Sequence, residues 1–164
     1  MKELTQVRDA VVSALQEAGV TALAAFPAGR ARQYTGPVAT AGVGAAEGKT
    51  LGFCNYLGQR YDEEAGTEVE LYGKQLDAVI SVDLRAPSAA ECEKGCETAA
   101  DVLLGGLPEG IRPGELQWEA LCWEKETGMF LRRGKLRCQA VFQAQAKEDG
   151  TAFLDFLLKG VMKT

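Results

Sequence analysis

Histidine is absent from the 164-residue sequence. This removes the commonest metal-binding side chain and the side chain whose ordinary pKa lies closest to neutral pH. Aromatic residues make up only 7% of the chain, and no apolar run comes near the length of a transmembrane helix, which needs roughly 18 residues. We therefore expect neither a membrane protein nor most kinds of enzyme.

Cysteines are few and odd in number, which is unlike the disulfide framework of a small secreted domain. Only Cys92 and Cys96 have the spacing of metal ligands, and zinc would need two more nitrogen or sulfur ligands. We expect reduced, buried thiols, with no metal and no cofactor. The cysteines are Cys54, Cys92, Cys96, Cys122 and Cys138.

The chain is acidic, with a formal net charge of -5 and a pI near 4.9. Nucleic acids and anionic membranes select clustered positive charge, so neither is the expected main partner. The amino-terminal residues lack the apolar core of a signal peptide, which favours synthesis and use in a cytosol. Length and composition predict one soluble domain over residues 1–164, with a sizeable core.

No motif in the sequence supports catalysis. Glycines from Gly42 to Gly48 precede Lys49 and Thr50, but their spacing misses that of a phosphate-binding loop. Carboxyl groups that could act as acid and base are expected on exposed faces or loops, where nothing shifts a pKa. These pairs are Glu63 with Glu64, Asp77 with Asp83, and Glu124 with Glu126. The sequence predicts no catalytic residue.

Two segments have the apolar spacing of helices. Residues Leu4 to Ala18 carry one apolar stripe and end before Gly19, which predicts an amphipathic helix. Ser88 and Glu91 form a capping box after Pro87, so a second helix is predicted from Ser88 to Leu104.

Other segments alternate with a period of two and predict strands. A long strand is predicted from Leu76 to Ala86, and a hairpin around Thr127-Gly128 joins strands at Leu116–Glu124 and Leu131–Ala146. Residues 153–161 could be strand or helix, and we favour a strand. Polar residues at alternate positions predict a mixed or mainly antiparallel sheet with one solvated or interface face. The fold class is thus α+β, with two main helices packed on one face of the sheet.

Charge is segregated between two parts of the sequence. Residues 61–70 hold five acidic residues that include Asp62, Glu63, Glu64 and Glu68, while residues 125–137 are mainly basic and include Arg132, Arg133 and Lys135. Opposite patches of this kind favour head-to-tail contact between copies of one chain. We expect these seven residues to form an oligomer interface; two ordinary solvated segments are the alternative.

The order of these elements resembles that of tail terminator, or tail-completion, proteins of long-tailed phages and prophages. The residues from Leu76 through Leu104 and the strand Gly134–Phe142 carry most of the similarity, which extends over nearly the whole chain. The resemblance implies an α+β domain assembled as a ring, often a hexamer, that stops growth of the tail tube and joins it to the head connector.

That resemblance also implies where the protein works and what it contacts. The expected location is the virion tail, assembled in the cytoplasm of a host bacterium, and the expected partners are further copies of the chain, a tail-tube protein and a head-tail connector protein. No catalysis is implied. The alternatives are another neck or tail-tube component, and a small carboxylate-based hydrolase or ligand-binding domain.

Overall fold

A computed structural model describes residues 2–27, 34–50, 56–64, 66–147 and 156–159, with only the backbone described at 145–147. The described part contains two helices and a mixed, mostly antiparallel sheet of eight strands, which confirms the predicted α+β class. In chain order the elements are α1 Lys2–Glu17, β1 Thr21–Leu23, β2 Val38–Thr50, β3 Tyr56–Asp62, β4 Thr67–Ala86, α2 Ala89–Gly105, β5 Ile111–Trp118, β6 Cys122–Glu124, β7 Met129–Lys147 and β8 Leu157–Leu158.

Strands β4 and β7 form the centre of the sheet. They pair antiparallel without a register shift, from Val69 opposite Lys147 to Ala86 opposite Phe130. Strands β2 and β3 lie end to end along the outer side of β4, so that Thr50 pairs with Lys74 and Tyr56 with Tyr72. Strands β5, β6 and β8 pair with β7 on its other side, and β1 pairs in parallel with β2.

The helices pack on one face of this sheet, which we call the helix face. Alternate residues of β4 and β7 point to that face and form the core with the apolar stripes of α1 and α2. The predicted core positions Ala78, Ile80, Val82 and Leu84 are all buried, as the period-two pattern requires. The intervening residues lie on the opposite face, which no described helix or strand covers. We call this the open face.

Helix α2 begins at the predicted cap. The Ser88 hydroxyl accepts a hydrogen bond from the backbone N–H of Glu91 at 3.2 Å, which satisfies one donor of the first turn. At the other end, Gly106 donates its N–H to the carbonyl of Val102. Neither described helix has the length and apolar character needed to span a bilayer.

One end of the sheet extends past the helices, and we call this extension the arm. It consists of β3 and residues 67–72 of β4, backed by the end of β7. Glu3, in the first turn of α1, forms an ion pair with Lys74, so residues 67–72 of β4 lie beyond the start of that helix. Most β3 side chains in the arm are exposed.

The element boundaries show where local pattern was a poor guide. Strand β4 begins at Thr67 instead of Leu76, because residues 67–75 are held by pairing on both sides and show no clean alternation. The predicted strand over Leu116–Glu124 is two strands, β5 and β6, separated at residues 119–121. The hairpin at Thr127-Gly128 is confirmed, with Gly128 at a φ of +66°. Of residues 153–161, the described Leu157–Leu158 form a strand, as favoured.

A buried glycine of β7 provides a test of the packing. Trp118 lies over Gly134, and a Cβ at that position would sit 2.6 Å from the indole Cε3. We expect Gly134→Ala to lower the free energy of unfolding by about 1–3 kcal/mol, the usual cost of overpacking. Urea denaturation measures this, with Gly48→Ala as the matched control because a Cβ there meets no heavy atom within 4 Å. Equal midpoints for both variants would contradict the packing described.

Candidate assembly surface

Four acidic residues of the arm lie at its tip, from the last residue of β3 through the turn to the start of β4. We call Asp62, Glu63, Glu64 and Glu68 the acidic tip. The carbonyl of Asp62 accepts the N–H of Gly66 at 2.8 Å, and its carboxylate accepts the N–H of Glu64 at 3.0 Å. Gly66 has a φ of +66°, which a glycine adopts without strain. The turn therefore holds Glu63 and Glu64 outward, and both are exposed.

The side of the arm that continues the helix face carries further acidic and aromatic groups. Tyr61 pairs with Glu68 across the two strands, and the residue is 60% exposed. Glu70 lies two residues along β4 and accepts a hydrogen bond from the Tyr72 hydroxyl at 2.7 Å. This surface thus combines two carboxylates of one strand with an exposed phenol ring.

Basic residues line the open face of β7 at the other end of the ladder. Arg133, Lys135 and Arg137 are exposed at alternate positions, and we call them the basic row. Their partners on β4 are Asp83, Ser81 and Val79 respectively. None of the three forms an ion pair with another described residue.

Arg132 does not join this row, although the sequence grouped it with Arg133. Its partner on β4 is Leu84, so it lies on the helix face. There its guanidinium binds Glu93 of α2 at 2.7 and 2.8 Å and donates to the carbonyl of Glu119 at 3.0 Å. The structure therefore brings Arg133 and Lys135 together and places Arg132 in an intramolecular ion pair.

Two adjoining cavities run beside the basic row and form a groove on the open face. Their volumes are about 650 and 360 Å³, and they share Ala45, Val79, Glu115 and Arg137. Arg112 lines the larger cavity and Lys135 the smaller one. Sequence reasoning missed Arg112, because only the pairing of β5 with β7 shows that it shares a face with Gln139.

The acidic tip and the basic row are far apart within one molecule. Glu68 is separated by 11–15 positions of β4 from the three residues that pair with the basic row. At about 3.3 Å per residue, this spans roughly 36–50 Å. Because the arm is held in register by the ladder, the two charged groups cannot meet in the same chain.

An ion-pair network lies at the end of the open face beyond the basic row. Arg85 binds Glu124 at 2.8 Å, and the two side chains are only 12% and 13% exposed. Hydrogen bonding by Arg85 holds the pKa of Glu124 below its usual value, and the Thr127 hydroxyl also donates to this carboxylate. The Arg85 guanidinium also lies over the Phe26 ring, 4.8 Å from its centroid.

The expectation that nothing shifts the pKa of the carboxyl groups is therefore wrong for Glu124, Asp83 and Asp77. Besides Glu124, burial raises the pKa of Asp83 against the opposing effect of Arg85 and Arg133. Hydrogen bonds from Lys49 and Gln75 lower the pKa of Asp77. Sequence patterns place these residues on an outward face but do not show how closely neighbouring strands bring a cation to each of them.

The cysteines are partly as expected. Cys92, Cys96 and Cys138 are buried, but Cys122 is exposed on the short strand β6, where the buried thiol predicted for it is wrong. Burial raises the pKa of Cys138 to about 11 and that of Cys96 to about 12, so both are neutral thiols near pH 7. The described residues contain no cluster of metal-binding side chains, and Cys54 lies outside them.

Comparison with known proteins gives matches among solved structures only. No protein-family model and no curated protein matches the sequence. Among solved structures, a chain from one titled "Virion of native gene transfer agent (GTA) particle" is 19% identical, with a TM-score of 0.38. The match covers 84% of this chain and 94% of the other. At that score the likeness does not establish a shared fold.

The Arg85–Glu124 ion pair predicts a pH dependence of stability. Since the pKa of Glu124 is lowered in the folded state, its contribution is complete above its ordinary value of 4.5 and is lost as pH falls through the folded pKa. We expect Glu124→Gln to lower the free energy of unfolding by about 1–2 kcal/mol at pH 7, and by less in acid. Glu126→Gln, at an exposed position, is the control. A loss that does not shrink in acid would contradict this assignment.

Asp83 predicts an effect of the opposite sign. Its raised pKa means that the charged carboxylate disfavours the folded state at pH 7, and that this cost disappears as pH falls through the folded pKa. Asp83→Asn should therefore raise the free energy of unfolding at pH 7 by less than about 1 kcal/mol after solvent screening. The gain should vanish below the ordinary pKa of 3.8. Chemical denaturation at several pH values measures it, and a loss at pH 7 would show that pairing with the arginines outweighs burial.

Proposed function

We propose that this protein is a ring-forming structural component of a phage or prophage tail, a tail terminator that caps the tail tube and joins it to the head connector. Its partners are further copies of itself, a tail-tube protein and a connector protein. Its activity is assembly and not catalysis. The resemblance of the sequence to tail terminators supports the proposed position in the virion, and the geometry of the charged surfaces supports the proposed mode of assembly.

The observation that carries the proposal is the separation of opposite charges along one rigid ladder. The acidic tip stands at one end of β4, and the basic row lies on the other half of the same ladder. Contact between such surfaces uses different patches on the two copies, so each added copy leaves a tip and a row available. Assemblies of this kind continue as filaments unless the rotation closes them into a ring.

The open face extends past the basic row and supports a second interaction surface there. A sheet with helices on one side only leaves its other side available for a partner, and here that side carries polar and charged residues such as Asp77 and Arg137 beside apolar ones such as Val79. Charged side chains arranged this way favour specific, salt-sensitive contacts over nonspecific association. A protein that must join a tube and a connector needs more than one such surface.

The rival with a specific observation in its favour is a ligand-binding domain. The larger cavity of the groove, of about 650 Å³, has the volume of a small-molecule site and is lined by Glu47, Asp77 and Glu115 together with Arg112 and Arg137. Asp77, however, is paired with Lys49 at 2.6 Å. Because that pairing lowers its pKa, Asp77 is a weak proton acceptor.

The shape of the assembled protein tests the proposal. Negative-stain electron microscopy of the purified full-length chain at low salt should show closed rings of one size. Sedimentation should show a single oligomer that dissociates as ionic strength rises, because exposed charge pairs are screened. Open tubes would favour the tail-tube alternative. A monomer at every protein and salt concentration would contradict assembly through these surfaces.

A further inference from the structure

Charges without an ion-pair partner stand out among the described residues. The three cations of the basic row form no ion pair with the described part of the chain, and Glu63, Glu64 and Glu68 of the tip form none either. Both groups are exposed and held on regular strands or a tight turn. Charged groups held in fixed positions in this way can bind a partner of opposite charge with little loss of conformational freedom.

We propose that the acidic tip of one copy docks across the basic row of a second copy, with the Glu68 side of the arm lying over the groove. This inference rests on the proposed function only in taking the partner to be another copy of the chain. The partner cannot be the same chain, since the ladder holds the two groups roughly 36–50 Å apart. The contact joins the helix face of one arm to the open face of the next copy.

Strand geometry gives the two surfaces the same spacing. Glu68 and Glu70 are two residues apart on β4, and Lys135 and Arg137 are two residues apart on β7. Alternate residues of a strand are about 6.6 Å apart and point to the same face. Two carboxylates on one strand can therefore meet two cations on another, and Glu63 and Glu64 extend the acidic surface toward Arg133.

The contact also has an apolar component. Tyr61 lies opposite Glu68 and is exposed, and Ala45 and Val79 form an apolar floor common to both cavities of the groove. A tyrosine contributes a large contact area with little loss of conformational freedom. We assign the ring of Tyr61 to this floor, where it excludes water from the surrounding charge pairs.

Acidic residues near the row do not cancel its charge. Asp77 is paired with Lys49, whereas Glu47 and Glu115 line the groove without an ion pair to another described residue. Asp83 lies near both Arg85 and Arg133, while Arg112 adds a fourth cation to the groove. The four cations therefore outnumber by one the nearby carboxylates of Glu47, Asp83 and Glu115.

A charge-swap experiment on the full-length protein tests the docking. The tip variant is Glu63→Lys, Glu64→Lys and Glu68→Lys, and it leaves Asp62 in place because its carboxylate supports the turn. The row variant is Arg133→Glu, Lys135→Glu and Arg137→Glu. Each alone should weaken self-association at least about 100-fold, because like charges then face each other. Lys94→Glu, at an exposed position on α2, is the control and should assemble normally.

Mixing the two variants separates docking from misfolding. In an equimolar mixture, a lysine tip meets a glutamate row and a native tip meets a native row, so the sedimenting mass should return to that of an assembled protein. Variants that fold, as shown by circular dichroism, but stay monomeric when mixed would overturn the proposal.

The outcomes of these experiments also test the docking contact separately from the proposed ring. Rings that persist in the tip variant would overturn the docking and leave the proposed function standing. A reciprocal dimer that is lost in each variant and restored by mixing would support the docking and contradict a ring. A wild-type monomer at low salt would overturn both.

Discussion

The backbone ladder between β4 and β7 is the constraint on which the rest of the structure depends. It runs from Val69 to Ala86 without a register shift, so each side chain of one strand is assigned both a face and a neighbour. One face then collects the apolar residues that the helices cover. The other collects Asp83, Ser81 and Val79 beside the basic row. A slip of one residue would exchange the two faces, so the buried core and the charged surface depend on the same register.

The length of the ladder separates the acidic tip from the basic row. Strand β4 is twenty residues long, which is more than the two helices cover, and its residues 67–72 extend past them into the arm. A compact sheet would bring acidic and basic surfaces close enough to neutralise each other. The arm holds the acidic tip away from the core and from the basic row, so its charge remains available to another molecule. Exposure of Tyr61 and of the turn residues follows from the same extension.

Sequence pattern predicted those elements whose conformation is determined by residues close together in the sequence. The stripe of α1, the cap at Ser88, the alternation from Ala78 to Leu84 and the turn at Gly128 are all encoded by neighbours in sequence. Sequence pattern failed where the structure depends on contacts with residues distant in the sequence. Residues 67–75 form a strand because β3, β2 and β7 flank them. Arg132 is not available to a partner chain because it forms an ion pair with Glu93 of α2.

The candidate surface was predictable in composition but not in arrangement. Segregation of acidic and basic residues is visible in the sequence, and Glu63, Glu64, Arg133 and Lys135 are exposed as an interface would require. Only the register of β7 shows which residues belong to the basic row, because it places Arg132 on the helix face and Arg137 on the open face. The groove could be identified only from the pairing of β5 with β7. The distance between the acidic tip and the basic row could be found only from the unbroken pairing of β4 with β7.

The central claim is that opposite ends of this ladder meet between copies of the chain, and carbodiimide cross-linking tests it most directly. The reagent joins a lysine amine to a carboxylate only where the two groups are already in contact. Covalent dimers formed from a mixture of ordinary and isotopically heavy protein should contain Lys135 joined to Glu63, Glu64 or Glu68, with one heavy and one light peptide in half of the links. Dimers linked only through other residues, or the same link found within monomers, would contradict the account.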